Sequence, residues 1–404
     1  MTDPTTALIH HPYQPPTGFE APQPGVFKAS TVFFPDIAAM RSREWKDKTA
    51  YTYGLHGTPT TYALEERLCT LEGGLQCLLV PSGLASIAMV CQSLLKAGDA
   101  VLIPDNAYGP SKALAEGELR GWGISHQYYD PMDPADLQRK LTSNTRLVWL
   151  EAAGSVTLEF PDLVALVRLC RQAGVRVALD NTWGAGMAFQ PFNLLPDAEP
   201  DLGADITIHA LTKYPSGGGD VLMGSIITRD AALHLRLKLT HMRLGLGVGA
   251  NDAEAVLRSL PSMALRYRAH DTVARALARW CQTRPEFAQV LHPALDNSPG
   301  HAHWKALCGH PGGGAAGLFS VVLHAAYTQD QTDAFCNALQ LFRLGYSWGG
   351  PVSLVVPYDL QAMRTAWPRL IAKGWVFRFC VGLEALPDLQ ADIVAALVVL
   401  PPIA

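Results

Sequence analysis

The sequence predicts an α/β protein: a mostly parallel, doubly wound sheet over residues 61–250, followed by a smaller α+β domain over residues 251–404. Three observations carry this. Between residues 61 and 250, short β-branched and apolar runs alternate with helical stretches, a pattern that builds parallel sheets. At residue 251 the character changes: "NDAEAVLRSLPSMALRYRAHDTVARALARWCQTR" is one long helical pattern interrupted near Pro261. Finally, 49% of the 404 residues are apolar and 17% charged, enough core material for two or three domains.

Taken in order, residues 1–60 are rich in Pro, Thr, Gly and aromatic residues, lack periodicity, and read as an extended arm. "TYALEERLCTLEGG" has an apolar period near 3.6 and closes on glycines, so it reads as a helix with its stop signal. Strands are expected at "QCLLVP", "DAVLIP", "TRLVWLEA", "VRVALD" and "DITIHAL", with "LVALVRLCRQAG" a helix between two of them. Mixed strands and helices then run to "LPDLQADIVAALVVL".

Composition narrows the function. The net charge is −4 and no Lys/Arg-rich stripe stands out, so neither nucleic acid nor an anionic membrane is an expected partner. The eight cysteines are scattered without a C-x-x-C pair, which suits a reduced cytoplasmic protein better than a disulfide scaffold or a zinc site. "MTDPTTALIHHPYQPP" lacks a basic region followed by an apolar core, so no signal peptide is expected there. The most apolar stretch, "LLVPSGLASIAMVCQSLL", is broken by Pro81, Ser82, Gly83 and Gln92 and reads as strand, turn and helix.

In open parallel sheets, ligands bind beyond the carboxyl ends of the strands. Five such ends offer Tyr108, Ser155, Asp180, Lys213 and the small turn "SGLAS" that opens a helix. Taken singly, each has an ordinary explanation: a packed ring, a turn former, a cap, a lysine reaching solvent. Together they supply an aromatic ring, a hydroxyl, a carboxylate, an amine and an anion cradle. Pyridoxal 5'-phosphate uses four of these directly: a covalent amine anchor, a carboxylate at the pyridine nitrogen, a stacking ring, and an N–H nest for phosphate.

The blocks "YTYGLHGTPTTYALEERLCTLEGG", "DNAYGPS", "LDNTWGAGMAFQP", "TKYPSGGGDVLMGSI", "YSWGG" and "FRFCVGLE" occur in an order, and over nearly the whole chain, that resembles the pyridoxal-phosphate enzymes of cysteine and methionine metabolism, the trans-sulfuration family. "LEAAGSVTLE" and "YSWGG" are most similar to the bacterial cystathionine β-lyase branch. The resemblance implies the aspartate-aminotransferase-like fold (fold type I). It also implies a homotetramer, a dimer of dimers whose sites are shared between neighbours.

It further implies roles for individual residues. Lys213 is the covalent anchor and then the proton carrier, with Tyr108 and Tyr53 completing the catalytic set. Asp180 pairs with the pyridine nitrogen, and Tyr108 stacks on the ring. Ser82, Gly83, Leu84 and Thr212 hold the phosphate, which Tyr53 reaches from the neighbouring subunit, and Ser155 lies against the cofactor. Arg378 grips the substrate α-carboxylate, a task suited to a planar guanidinium, with Ser347 and Trp348 beside it. The implied activity is β-elimination of L-cystathionine to homocysteine, pyruvate and ammonia. The rivals are a γ-acting relative (cystathionine γ-synthase, cystathionine γ-lyase or methionine γ-lyase) and, from another class, a cofactor-bearing regulator with little turnover.

Some features depart from the family pattern. Leu55 stands where relatives carry a phosphate-binding arginine, Ala210 stands where many carry serine, and "PVSLVVPYD" after "YSWGG" is unlike the β-lyase form. A protonated His56 would offer a substitute cation for the arginine. "GYSWG" matches the hydrolase nucleophile elbow, but no histidine follows Ser347 to complete a triad. "PSGGGD" follows its lysine, whereas a Walker loop precedes it. His301, His303 and His310 lack metal-ligand spacing and read as loop residues.

Overall fold

The first regular helix of the main body, Pro59–Glu72, starts where its sequence directs. Thr58 accepts from Thr61 N–H while Thr61 Oγ1 receives Thr58 N–H, a reciprocal cap, with proline in the first turn. It stops at Gly73, whose φ of 76° is the left-handed conformation that ends helices. This computed structural model describes residues 4–12, 17–42, 48 and 50–403.

Seven strands form the larger sheet: β1 (Gln76–Val80), β2 (Ala100–Pro104), β3 (Ser125–Tyr129), β4 (Thr145–Glu151), β5 (Arg176–Asp180), β6 (Ile206–Ala210) and β7 (Gly224–Thr228). Their spatial order is β1-β7-β6-β5-β4-β2-β3. All neighbouring pairs are parallel except those of β7, which runs against both β1 and β6. Five of these strands match the sequence reading, and two were not read. β3, "SHQYY", is an edge strand with exposed alternate residues and a weak apolar signal. β7, "GSIIT", is fully buried. Apolar layers cover both faces, one containing Leu79, Leu102, Val148 and Leu179, the other Val80, Ile103, Leu147 and Ile208.

Beyond the sheet, helix Ala250–Ser259 gives way to a short 3₁₀ turn at Leu260–Ser262 and then helix Met263–Cys281, so the break falls at Pro261 as read. Five further strands follow: β8 (Phe287–Leu291), β9 (Leu318–His324), β10 (Arg343–Leu344), β11 (Leu354–Tyr358) and β12 (Gly374–Cys380). They pair as β10-β11-β12-β9-β8, antiparallel except for β10 with β11. Phe319, Phe335, Phe377 and Phe379 fill the core of this second unit.

The amino-terminal segment differs from a plain extended arm. Pro4–Ile9 and Ile37–Ser42 are short helices, and Leu8, 1% exposed, sits in the main core. All eight cysteines are buried and unpaired. Among the described residues no helix is long and apolar enough to cross a membrane.

Candidate active site

The carboxyl ends of β1, β4, β5 and β6 open onto one cavity of about 450 Å³, closed on the other side by the 346–348 segment and by Arg378 of β12. Lys213 follows β6 by three residues. Its Nζ donates to Ser347 Oγ at 3.1 Å and lies 4.3 Å from the centre of the Trp348 ring. Burial, then the positive charge of Arg378, lowers the lysine pKa to about 8. The lowered value makes the unprotonated, nucleophilic amine easier to reach near neutral pH than for an ordinary lysine.

Asp180 ends β5 and lines the same cavity. Its Oδ1 accepts from Thr182 N–H at 3.0 Å, and Thr182 Oγ1 in turn accepts from Ala210 N–H at 3.0 Å, tying β5 to β6. Burial nonetheless lifts the Asp180 carboxyl above the ordinary aspartate range, so the hydrogen bonds from Thr182 do not fully compensate it. A pyridinium N–H is the partner such a carboxylate lacks.

Helix Gly83–Leu94 points its amino end into the cavity. Ser82 caps it: Oγ accepts Ala85 N–H at 3.0 Å and its carbonyl accepts Ser86 N–H at 3.1 Å. The N–H groups of Gly83 and Leu84 are thereby left without a partner inside the helix, the usual makings of a phosphate cradle. Thr212 lies on the opposite wall. A side chain at position 83 would put its Cβ 2.6 Å from Ala210 Cβ, so glycine allows this helix end to sit against β6. Ser82 thus serves as a cap of this helix and also lines the cavity.

Arg378 is 6% exposed, and its guanidinium lies 5.1 Å from the Trp348 ring and 5.3 Å from that of Tyr358. Its Nε has no hydrogen-bond partner among the described residues, nor does Trp348 Nε1. Both side chains line the cavity, where a planar guanidinium is suited to a carboxylate. Tyr108 caps the helix Gly109–Leu114 and is 40% exposed; Ser155 also lines the cavity, fixed by its N–H to Asn106 O at 2.9 Å.

One further residue belongs to this site and was not singled out from the sequence. Glu151 ends β4 beside Asp180 in register, and its Oε2 accepts Tyr108 N–H at 2.9 Å. Burial, and then the negative charge of Asp180, raises its carboxyl pKa to about 8. The strand-end rule that finds Asp180 also finds Glu151.

Tyr53 is the one expected site residue that does not line this cavity. It is bridged to Thr31, 48% exposed. Leu55 and His56 beside it face a separate small cleft with Lys238, His241 and Gly247. His56 Nδ1 bonds Thr52 Oγ1 at 2.9 Å. Burial, then the charges of Lys238 and His241, lowers the His56 pKa, so a protonated His56 standing in for arginine is disfavoured here.

The family model for Cys/Met metabolism PLP-dependent enzymes matches residues 5–398. The chain belongs to this family. It is 40% identical to a putative cystathionine β-lyase of Rhizobium johnstonii, over 92% of this chain and 89% of that one. With a cystathionine β-lyase of Bordetella avium it shares 38% identity over 96% of each. Its fold matches a cystathionine γ-synthase of Xanthomonas oryzae, solved with cystathionine, at a TM-score of 0.86, with 28% identity over 99% and 98% of the two chains. The protein is thus a pyridoxal-phosphate enzyme of fold type I, among lyases and synthases of the trans-sulfuration pathway. Asp180, the Gly83 helix end and Lys213 fit that cofactor by charge, cradle and nucleophile.

Proposed function

We propose that this chain catalyses β-elimination from cysteine thioethers, taking L-cystathionine to homocysteine, pyruvate and ammonia. The observation that carries the reading is the placement of Lys213. Its amine, with a pKa of about 8, lies in one cavity with the Asp180 carboxylate, the Gly83 helix end and the buried Arg378. The names of the two relatives at 38–40% identity support the β position.

Bound pyridoxal phosphate supplies a sink for the negative charge that develops at the substrate Cα. The other tasks fall to the chain. Arg378 pairs with the α-carboxylate, while Trp348 and Ser347 confine the amine of Lys213 to one side of the cavity. Asp180 keeps the pyridine nitrogen protonated, and the N–H groups of Gly83 and Leu84, with Thr212, hold the phosphate. Lys213 Nζ takes the Cα proton; the Cβ–S bond breaks with its electron pair on sulfur; the same ammonium returns a proton to the leaving thiolate. The remaining three-carbon unit takes up water and gives pyruvate and ammonia. Tyr53, exposed and away from its own cavity, completes the phosphate site of a neighbouring copy, so the active form is at least a dimer.

The test is the identity of the keto acid formed by the holoenzyme from L-cystathionine. Pyruvate supports β-elimination; 2-oxobutyrate makes the chain a γ-acting enzyme; no keto acid with intact cofactor makes it a binding or regulatory protein.

A further inference from the structure

Ser347 and Trp348 lie on the irregular segment between β10 and β11, and such a segment places a side chain only as well as it is itself held. Its far end is anchored. Ser353, fully buried, donates its N–H to Glu384 Oε1 at 2.7 Å and its hydroxyl to Glu384 Oε2 at 2.8 Å, so one carboxylate receives both donors of one residue. Ser353 Oγ in turn accepts Gly382 N–H at 2.8 Å, and Pro351 O accepts Leu383 N–H at 2.9 Å. Gly382, Leu383 and Glu384 lie just beyond the end of β12, the strand that carries Arg378. A Cβ at position 382 would fall 2.4 Å from Pro351 O, so glycine lets the two stretches of chain meet backbone to backbone.

The middle of the same segment presses on the backbone that bears the lysine. Gly349 takes a φ of 77°, and a Cβ there would fall 2.8 Å from Tyr214 N. Just before it, Ser347 Oγ accepts from Lys213 Nζ, and the Trp348 ring lies 4.3 Å from that Nζ and 5.1 Å from the Arg378 guanidinium. Each of these contacts is made within one chain. A carboxylate suits the anchor because both its oxygens accept, and hydrogen bonds to a charged group are stronger than neutral ones. We infer that Glu384, acting through Ser353, is a positioning residue of the active site: it fixes the 345–353 segment against the end of β12 and so sets Ser347 and Trp348 against Lys213 and Arg378. Neither Glu384 nor Ser353 lines the cavity, so both act through the residues they place. The inference concerns the surroundings of Lys213 and holds whichever bond of the substrate is broken.

The lysine reports the placement. Burial is the main cause of its lowered pKa of about 8, and Ser347 and Trp348 are part of its cover. With the segment released, water reaches the amine and its pKa rises toward that of an ordinary lysine. Glu384→Gln keeps the size of the side chain but puts an amide NH2 where one acceptor oxygen stood. Competitive labelling of the full-length apoenzyme with trace acetic anhydride, read by mass spectrometry on the peptide that contains Lys213, gives the midpoint of this amine without any turnover. The midpoint should rise by about 0.5–1 unit in Glu384→Gln, and by less in the same direction in Ser353→Ala. In a Trp348→Ala background, where the cover is already lost, Glu384→Gln should add under about 0.2 unit. An unmoved midpoint in Glu384→Gln that retains its circular dichroism overturns the inference. An equal rise with and without Trp348 also overturns it, since Glu384 would then brace the fold at large. If Glu384→Gln does not fold, Ser353→Ala decides alone: a raised midpoint upholds the inference and an unmoved one overturns it.

Discussion

Arg364→Met removes the centre of a buried charge cluster that joins the two sheets beside the active site. Arg364 Nε meets Asp105 Oδ2 at 3.2 Å and Nη1 meets Glu159 Oε2 at 2.9 Å, while Thr365 N–H and Oγ1–H also reach Asp105. Without the guanidinium, Glu159 keeps only the Thr157 hydroxyl at 2.8 Å and a long contact to Asn106 at 3.4 Å. Glu159 is 2% exposed, so its charge would lie buried and largely unpaired. Breaking such a pair costs about 3–5 kcal/mol. With a guanidinium m-value of roughly 4 kcal/mol/M for a chain of this size, the denaturation midpoint should fall by about 1 M. Activity should fall as well, because Asp105 opens the turn that presents Asn106 and Tyr108. Adding Glu159→Gln to Arg364→Met should recover much of the lost midpoint by removing the stranded charge. The effect has a pH signature. Although burial opposes it, the hydrogen bond and charge of Lys112 and the charge of Arg364 hold the Asp105 carboxyl below its ordinary range. A lowered carboxyl contributes stability above the ordinary carboxylate range and loses it as pH falls through the lowered value. The gap between wild type and variant should thus persist at about pH 5 to 8 and close below about pH 4. A midpoint shift under about 0.25 M would place the cluster with exposed pairs of little consequence and refute this reasoning.

Three other outcomes are expected. Arg378→Ala should lower kcat/KM about 10²- to 10⁴-fold through loss of a buried carboxylate partner, with the cofactor spectrum nearly unchanged; a loss under about tenfold would make the arginine structural. Gly83→Ala pushes a Cβ to 2.6 Å from Ala210 Cβ, so equilibrium dialysis should show cofactor affinity down about tenfold or more while circular dichroism is retained. Unaltered affinity would remove that helix end from the phosphate site. In the apoenzyme, the rate of cofactor recapture should rise with pH with a midpoint at about 8, since the free amine is the nucleophile and burial favours it. A flat profile between about pH 7 and 9 would contradict a lysine tuned in this way.

Much of the site was legible because a parallel sheet gathers its functional residues at strand ends. Asp180 ends β5, Lys213 and Ser155 follow β6 and β4, and glycine at 83 marks a helix start. Arg378 was placed by resemblance alone, since an arginine inside "FRFCVGLE" has no local signature. The Arg364 cluster was not legible. Arg364 and Asp105 stand 259 positions apart, and nothing in the block that holds Asp105 points to an arginine so far along the chain. Glu151 was passed over for Ser155 because the sequence does not reveal that β4 and β5 lie side by side and set two carboxylates in register. The neutralising surroundings of His56 depend on Lys238 and His241, which only folding brings to it. β3 escaped because an edge strand needs no apolar alternation.

The central claim is that one amine, Lys213, carries the cofactor in this cavity. Borohydride reduction of the holoenzyme followed by peptide mapping tests it directly. The account predicts a pyridoxyl group on the peptide that contains Lys213, absent in Lys213→Ala. A pyridoxyl group on another lysine, or its persistence in Lys213→Ala, would contradict it.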